Sequence, residues 1–422
     1  MTLLFTIFYT LGFGYMATRK FDLFTLTYLT STIYFLPAFF GVTHDGTLPL
    51  FLNPISVHQY LFYFYYFGLL IAFAFVFSFA SKKHFNGSST LITSSKMAVD
   101  AKTLTTLSRI AGTATPILLI LAWYAMGDKL FSPDKQEVLD NFSAFYAAFQ
   151  AAALIYFYTA FICNRKIGML VGLIYIAFDL YIGFRAIGAF ALILSFSYTS
   201  INQSSCKKTL LFAVTLLVAY GFATLYKAIT LSIKLGTNVS SLITLFDIDG
   251  FVEALLVTES FTTQDVFRQT IATNLTLPIE YIFELLRIFL PVVGNYFFGK
   301  GLGFNDYYQT TLYPHIPWGL GSNIWAEQYA MWGWPGPIVL VFLLLFALYV
   351  FNTYILKWMV TGQLHRVAFT LFLVAPFYFY VHRNDLLFQL GMTRNYILTW
   401  LVFYLLTKYF LFDLRKYWRL RP

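Results

Sequence analysis

Charge is what this chain has least of. Only 11% of its 422 residues are Asp, Glu, Lys or Arg, against roughly 25% in ordinary soluble domains, and mean hydropathy is +0.68. That balance excludes a soluble globular protein and leaves an all-α, polytopic membrane protein. Cysteine is scarce as well. Cys163 and Cys206 each close an apolar run beside a basic cluster, Asn164-Arg165-Lys166 and Lys207-Lys208, so no disulfide framework is implied and both thiols are expected in a reducing compartment. Lys and Arg are missing ahead of the first apolar run, Leu3–Ala17, and Arg19-Lys20 follow it. A secretory signal has the opposite order, so this run is expected to stay as an anchor with its N-terminus outside. There is no phosphate loop, no dinucleotide-binding glycine fingerprint, no paired-histidine zinc helix and no hydrolase nucleophile elbow. The lack of any internal repeat removes support for an inverted-repeat transporter.

Long apolar runs are what the sequence has in abundance. Runs near the roughly 20 residues needed to span a bilayer fall at about 3–18, 22–41, 59–80, 107–126, 143–163, 167–184, 186–201, 209–226, 335–356, 367–381 and 395–413. Eleven spans starting outside put 18 of the 28 Lys and Arg on the inner face, against five on short outer loops, which is the expected positive-inside bias. The net charge of +9 is therefore a topological signal, and no nucleic acid is expected as a partner. Three parts follow: an N-terminal bundle of about eight helices over 1–226, an extracytoplasmic domain with interfacial amphipathic helices over 227–334, and a bundle of about three helices with a basic cytoplasmic tail over 335–422. Within the outer segment, Pro278–Pro291 repeats apolar residues at helical spacing behind a leading proline, and reads as a helix in the outer interface.

Most of the chemistry-bearing residues stand on that outer side. The apolar stretch Ile167–Ile201 is too long for one helix and is expected to turn tightly at Gly183-Phe184-Arg185, leaving the Arg185 guanidinium where a lipid pyrophosphate lies; an interfacial snorkelling role fits it equally. Asp179, two turns away, is its counter-ion or a structural acceptor. The connection from His382 to Arg394 places Arg383, Arg394 and Asp385 on the same face, suited to an anionic partner, with an Arg383–Asp385 surface pair as the plain alternative. Glu327 follows Gly319-Leu-Gly-Ser-Asn323 and precedes Gly333-Trp-Pro-Gly336, a carboxylate placed to take a proton from an attacking sugar hydroxyl. His315, between two prolines, is a second candidate base or part of a rigid turn. No metal is expected; Asp247-Ile-Asp249 is the acidic pair that would hold one, and Asp249 equally suits a helix N-cap.

Many spans, a hairpin carrying Gly-Phe-Arg185-Ala, one large outer loop ending in Gly-Ser-Asn-Ile-Trp-Ala-Glu327-Gln-Tyr-Ala-Met-Trp-Gly-Trp-Pro-Gly, and then Arg383 and Arg394, together resemble the Wzy-type oligosaccharide repeat-unit polymerases, O-antigen polymerases among them. The resemblance implies an architecture of the lipid-sugar glycosyltransferase (GT-C-like) type in the bacterial inner membrane, with N-terminus and large loop periplasmic. It implies polymerisation of undecaprenyl-pyrophosphate-linked repeats for a surface polysaccharide such as the O-antigen of lipopolysaccharide, without a cofactor. Donor and acceptor lipid-linked glycans, membrane lipids and a chain-length regulator are the expected partners. In that setting Glu327, Arg185 and His315 are the catalytic candidates, and Arg383, Arg394 and Asp385 bind substrate. Arg268, Arg287 and Lys300 dock the acceptor pyrophosphate. An O-antigen ligase shares this layout, and a lipid-linked oligosaccharide flippase is the non-enzymatic alternative.

Overall fold

In a computed structural model of the chain, the apolar runs fold as helices and almost nothing else. The structure describes residues 1–45, 51–85, 94–132, 137–138, 141–201, 206–234, 252, 255–256, 258–287, 303–314 and 321–419. In chain order the elements are α1 (Thr2–Thr18), α2 (Leu23–Tyr34), α3 (Pro37–Phe40), β1 (Val42–His44), β2 (Leu52–Pro54), α4 (Val57–Phe85), α5 (Ser94–Met126), α6 (Ala144–Ile162), α7 (Lys166–Ile182), α8 (Ala186–Ser200) and α9 (Cys206–Lys234). There follow α10 (Glu259–Ala272), α11 (Tyr281–Arg287), α12 (Phe304–Leu312), α13 (Ile324–Trp332), α14 (Pro335–Val360), α15 (Leu364–Val374) and α16 (Leu386–Arg419). The one sheet among the described residues is the antiparallel pair β1–β2, with Thr43 opposite Asn53.

Five helices among the described residues are long and apolar enough to cross a membrane: Val57–Ser81, Asp100–Phe131, Ala144–Ile162, Pro335–Val360 and Leu364–Arg383. Thr2–Thr18 and Ala186–Ser200 are shorter apolar helices. The run at 22–41 is not one helix, because the chain breaks ahead of Pro37 and again at Gly41, which caps α3 at φ 75. Twelve residues of α2 rise about 18 Å, short of the ~30 Å hydrocarbon layer, and every residue from Leu23 to Ser31 is buried. Apolarity in α2 therefore serves packing inside the protein.

The helices gather into two compact units, Met1–His84 with Ser200–Val350 and Phe377–Gly391, and Phe85–Thr199 with Phe351–Pro376 and Met392–Pro422. In the first, Phe35 is the centre of an aromatic core. Its ring lies 4.9 Å from Tyr63, 5.2 Å from Tyr66 and 5.4 Å from Phe67. Helix α10 packs on β1, α2 and α13, so described parts of the expected outer domain share a core with α2. Polar residues of α10 are buried with it: Thr263, Gln264 and Asp265 have no exposed surface. Asp265 repays its desolvation by accepting hydrogen bonds from Thr43, Asn53, Arg268 and Tyr313, which ties the hairpin to α10.

In the second unit α6 lies between α5 and α7. Gly172 lets α7 approach closely, since a Cβ there would stand 2.9 Å from the Phe157 Cα. The chain reverses between α7 and α8 at Gly183, which adopts φ 112 to cap α7, a conformation that favours glycine. Asp179, one turn before that end, is buried and accepts hydrogen bonds from the Tyr146 hydroxyl and the Gln150 amide, each 2.8 Å.

Candidate active site

Helix α13 is set by its two ends. Asn323 caps its start, accepting from the backbone N–H groups of Trp325 and Ala326 while its own amide donates to the Thr263 carbonyl at 2.9 Å. Gly333 ends it at φ 61, and Pro335 opens α14 two residues later. Gly336 must be glycine, because a Cβ there would lie 2.2 Å from the Gln328 carbonyl oxygen. This clamp holds Glu327 in the first turn of α13, with its side chain pointing into the protein and no exposed surface.

Two donors meet the Glu327 carboxyl. The Tyr281 hydroxyl of α11 donates to Oε1 at 2.7 Å and the Leu386 N–H, at the start of α16, donates to Oε2 at 2.6 Å. Asp385 precedes that same N–H and caps α16, accepting from the Phe388 N–H at 2.7 Å. Its backbone N–H donates to the Ser322 Oγ at 2.6 Å, and the Asn305 N–H and the Ser322 hydroxyl add to the donors on its carboxyl. Asp385 is only 4% exposed. Both acids hold their protons more tightly than usual. Burial, and then the nearby Asp385 charge, push Glu327 up to about 8 against the pull of Tyr281 and Leu386. Burial also raises Asp385, less its three hydrogen bonds. Tyr281 is raised by burial and then by the Glu327 charge, so it remains a neutral hydroxyl.

The other expected residues are distributed as follows. Arg383 pairs with Glu259 and not with Asp385: its Nη2 donates to Oε1 at 2.9 Å, its Nε is 2.8 Å from Oε2 but off-line for a hydrogen bond, and its guanidinium lies 5.0 Å from the Tyr380 ring centre. Arg268 pairs with Asp265 at 2.9 Å, with 16% of its side chain exposed. Arg185 and Arg394 belong to the second unit. Arg185 sits in the turn between α7 and α8, and Arg394 lies on α16 with a 3.4 Å contact to Asn395. The backbone of Arg287 ends α11, and its side chain lies outside the described residues. His315, Lys300, Asp247 and Asp249 lie outside them too. Among the described residues no group of three or more His, Cys, Asp or Glu is arranged to hold a metal ion.

Two further residues carry much of the site: Tyr281 was not singled out in the sequence, and Trp325 reads there only as one of four clustered tryptophans suited to a headgroup belt, whereas it is fully buried. Tyr281 stands inside the Pro278–Pro291 pattern, where it breaks the apolar stripe from the opposite face. The two faces differ sharply: Ile279 is 73% and Phe283 66% exposed, while Tyr281 is buried. Trp325 is the other. Its Nε1–H donates to His382 Nδ1 at 2.9 Å, and since an indole only donates, Nδ1 is the unprotonated nitrogen and Nε2 carries the hydrogen. That hydrogen goes to Ser31 Oγ, 2.8 Å away, with the Tyr66 hydroxyl at 3.3 Å. His382 thus locks the 3₁₀ turn ahead of Asp385 to α2, α4 and α13, and all its polar capacity is used.

Two acids from distant parts of the sequence, a neutral phenol and the first amides of one helix form a buried hydrogen-bonded cluster. No protein-family model matches the chain, and no curated protein or solved structure matches it either.

Proposed function

We propose that this chain is a membrane glycosyltransferase that polymerises oligosaccharide repeats carried on undecaprenyl pyrophosphate, working on the periplasmic side of a bacterial inner membrane through a polytopic, GT-C-like architecture. The observation that carries the reading is the Glu327 carboxyl, held between Tyr281 and the Leu386 N–H at 2.7 and 2.6 Å on a segment that leads directly into a helix apolar enough to cross a membrane. Polymerisation asks for one base and for cations. The acceptor sugar hydroxyl gives its proton to Glu327 as its oxygen bonds to the donor C1. The C1–O bond to phosphate breaks, and undecaprenyl pyrophosphate leaves with the electron pair.

A buried base is reached only when the segments packed over it part, so access to Glu327 is coupled to substrate entry. This reading assigns Arg185 and Arg394 to the donor pyrophosphate, and Arg268, Arg287 and Lys300 to docking the acceptor. Arg383 does so only by exchanging its Glu259 partner. His315 is the alternative base. A chain-length regulator would set the number of turnovers. The leaving group is already good, so no cofactor is called for.

The test is reconstitution of the full chain in vesicles with purified lipid-pyrophosphate-linked repeats. A ladder of glycan lengths on the lipid carrier supports polymerisation. Transfer of finished glycan to a lipid A core without chain extension supports the ligase. Movement of single repeats across the bilayer without any new glycosidic bond supports the flippase.

A further inference from the structure

The start of α16 carries two acids where a helix start usually carries one. Leu386 gives its N–H to Glu327 and Phe388 gives its N–H to Asp385, so two carboxyls share the positive end of one helix within a single turn. The groups around them are accounted for element by element among the described residues. From α11 comes Tyr281, and from α12 come Asp306 and Tyr308, a phenol kept neutral by burial and then by the Asp385 charge. On α10, Asp265 is bound to Arg268 and Tyr313, and Glu259 to Arg383. In the turn before α16, His382 is bound to Trp325 and Ser31. No cation of the described residues lies within ion-pair distance of Glu327 or Asp385. Two like charges confined in this way do not both ionise easily.

The donors on Glu327 are not equivalent. The Leu386 N–H can only donate, so it serves Oε2 whether or not the acid is protonated. The Tyr281 oxygen also accepts the Phe304 N–H, which leaves it one hydrogen and one lone pair for Oε1. It can donate to the carboxylate and accept from the acid. A proton on Oε1 of Glu327 thus has the Tyr281 oxygen as its acceptor, while Oε2 keeps the Leu386 N–H.

We propose that Tyr281 is the positioning residue of the candidate base, exchanging donor for acceptor as Glu327 gains its proton, and that Asp385 is the opposing charge that makes the two acids titrate as one pair. The catalytic consequence rests on the polymerase reading, whereas the pairing does not. The upward shift of Glu327 is in keeping with it. Asp385 is accordingly a partner in proton storage, a role distinct from contact with the glycan. Phenylalanine at 281 would leave the carboxylate short of a charged hydrogen bond, and asparagine at 385 would remove the like charge.

The experiment is an infrared pH titration of the full-length protein in nanodiscs, reading the band of the buried protonated carboxyl as wild type minus Glu327→Gln. Tyr281→Phe should raise the midpoint by about one pH unit, a tenfold gain in proton affinity. Asp385→Asn should lower it by about the same amount. Shifts in one common direction, or no shift in either variant, overturn the proposal. Should Tyr281→Phe fail to accumulate, the sign of the Asp385→Asn shift decides alone. In the reconstituted reaction the pH of half-maximal chain extension should move with each midpoint, which a purely structural defect would not produce. Infrared shifts of opposite sign from a protein that forms no ladder at any pH leave this pairing standing and sink the polymerase reading.

Discussion

Removing the candidate base should make the protein more stable at alkaline pH, and the size of the effect follows from its surroundings. Glu327 is fully buried and its carboxyl is pushed from 4.5 up to about 8, mainly by loss of water and then by Asp385. Between those two values the unfolded chain has released the proton and the folded chain still holds it. The folded state binds more protons, so stability falls as pH rises, starting near 4.5 and levelling off above about 8. At about 1.4 kcal/mol per unit, the full span amounts to about 5 kcal/mol, comparable with the whole stability of many domains. Glutamine imitates the protonated acid: its carbonyl accepts the Leu386 N–H, and its amide donates to the Tyr281 oxygen. Glu327→Gln should therefore match wild type near pH 4.5 and exceed it progressively up to pH 8. The assay is thermal unfolding of detergent-solubilised protein across pH 4.5–9, followed by intrinsic tryptophan fluorescence. The informative quantity is the difference between the two curves, because titrating groups outside this acid pair contribute the same pH trend to both. A gap that stays constant over this range, or that favours wild type increasingly toward pH 8, would refute the argument that Glu327 carries a buried proton.

Other outcomes can be checked independently. With native cysteines replaced by serine, Thr273→Cys, an exposed position after α10, should react with a membrane-impermeant thiol reagent in spheroplasts, and a protein retaining only the exposed Cys206 should not; the reverse pattern inverts the topology. Gly336→Ala should abolish accumulation of folded protein, since its Cβ would lie 2.2 Å from the Gln328 carbonyl oxygen; normal size-exclusion behaviour of this variant would show that the α13–α14 corner is looser than described. His382→Phe strands the Trp325 N–H and should cost about 1–3 kcal/mol. Adding Trp325→Phe should recover part of that loss, and strict additivity in the double-mutant cycle would deny the hydrogen bond any weight.

How much of this was legible in the sequence depends on the range of the interactions involved. Apolar runs and the glycine at 183 act locally, so helical elements and the α7–α8 reversal could be read from the chain itself. The run at 22–41 was less transparent, because hydropathy does not distinguish a helix that faces lipid from one enclosed by protein, and α2 is enclosed. Glu327 was visible as a carboxylate set among glycines and tryptophans. Its partners were not, since Tyr281 lies 46 positions away and Leu386 lies 59 positions away. Arg383 stands two residues from Asp385, yet its carboxylate partner is Glu259, 124 positions distant.

That choice of partner bears on how the cluster works. Had Arg383 closed on Asp385, the positive charge would have held both acids ionised, and Glu327 would be an ordinary carboxylate with an ordinary proton affinity. By committing Arg383 to Glu259, the fold leaves Asp385 with the helix N-terminus and its neutral donors. A helix end is equivalent to only about half a unit charge, less than two carboxylates require. The remaining imbalance is met by keeping a proton on Glu327, with Tyr281 able to receive it. Arg383→Gln therefore should not by itself alter the titration of the acid pair, whereas moving a cation next to Asp385, as in Asn305→Lys, should lower the Glu327 midpoint and weaken the pH dependence of stability.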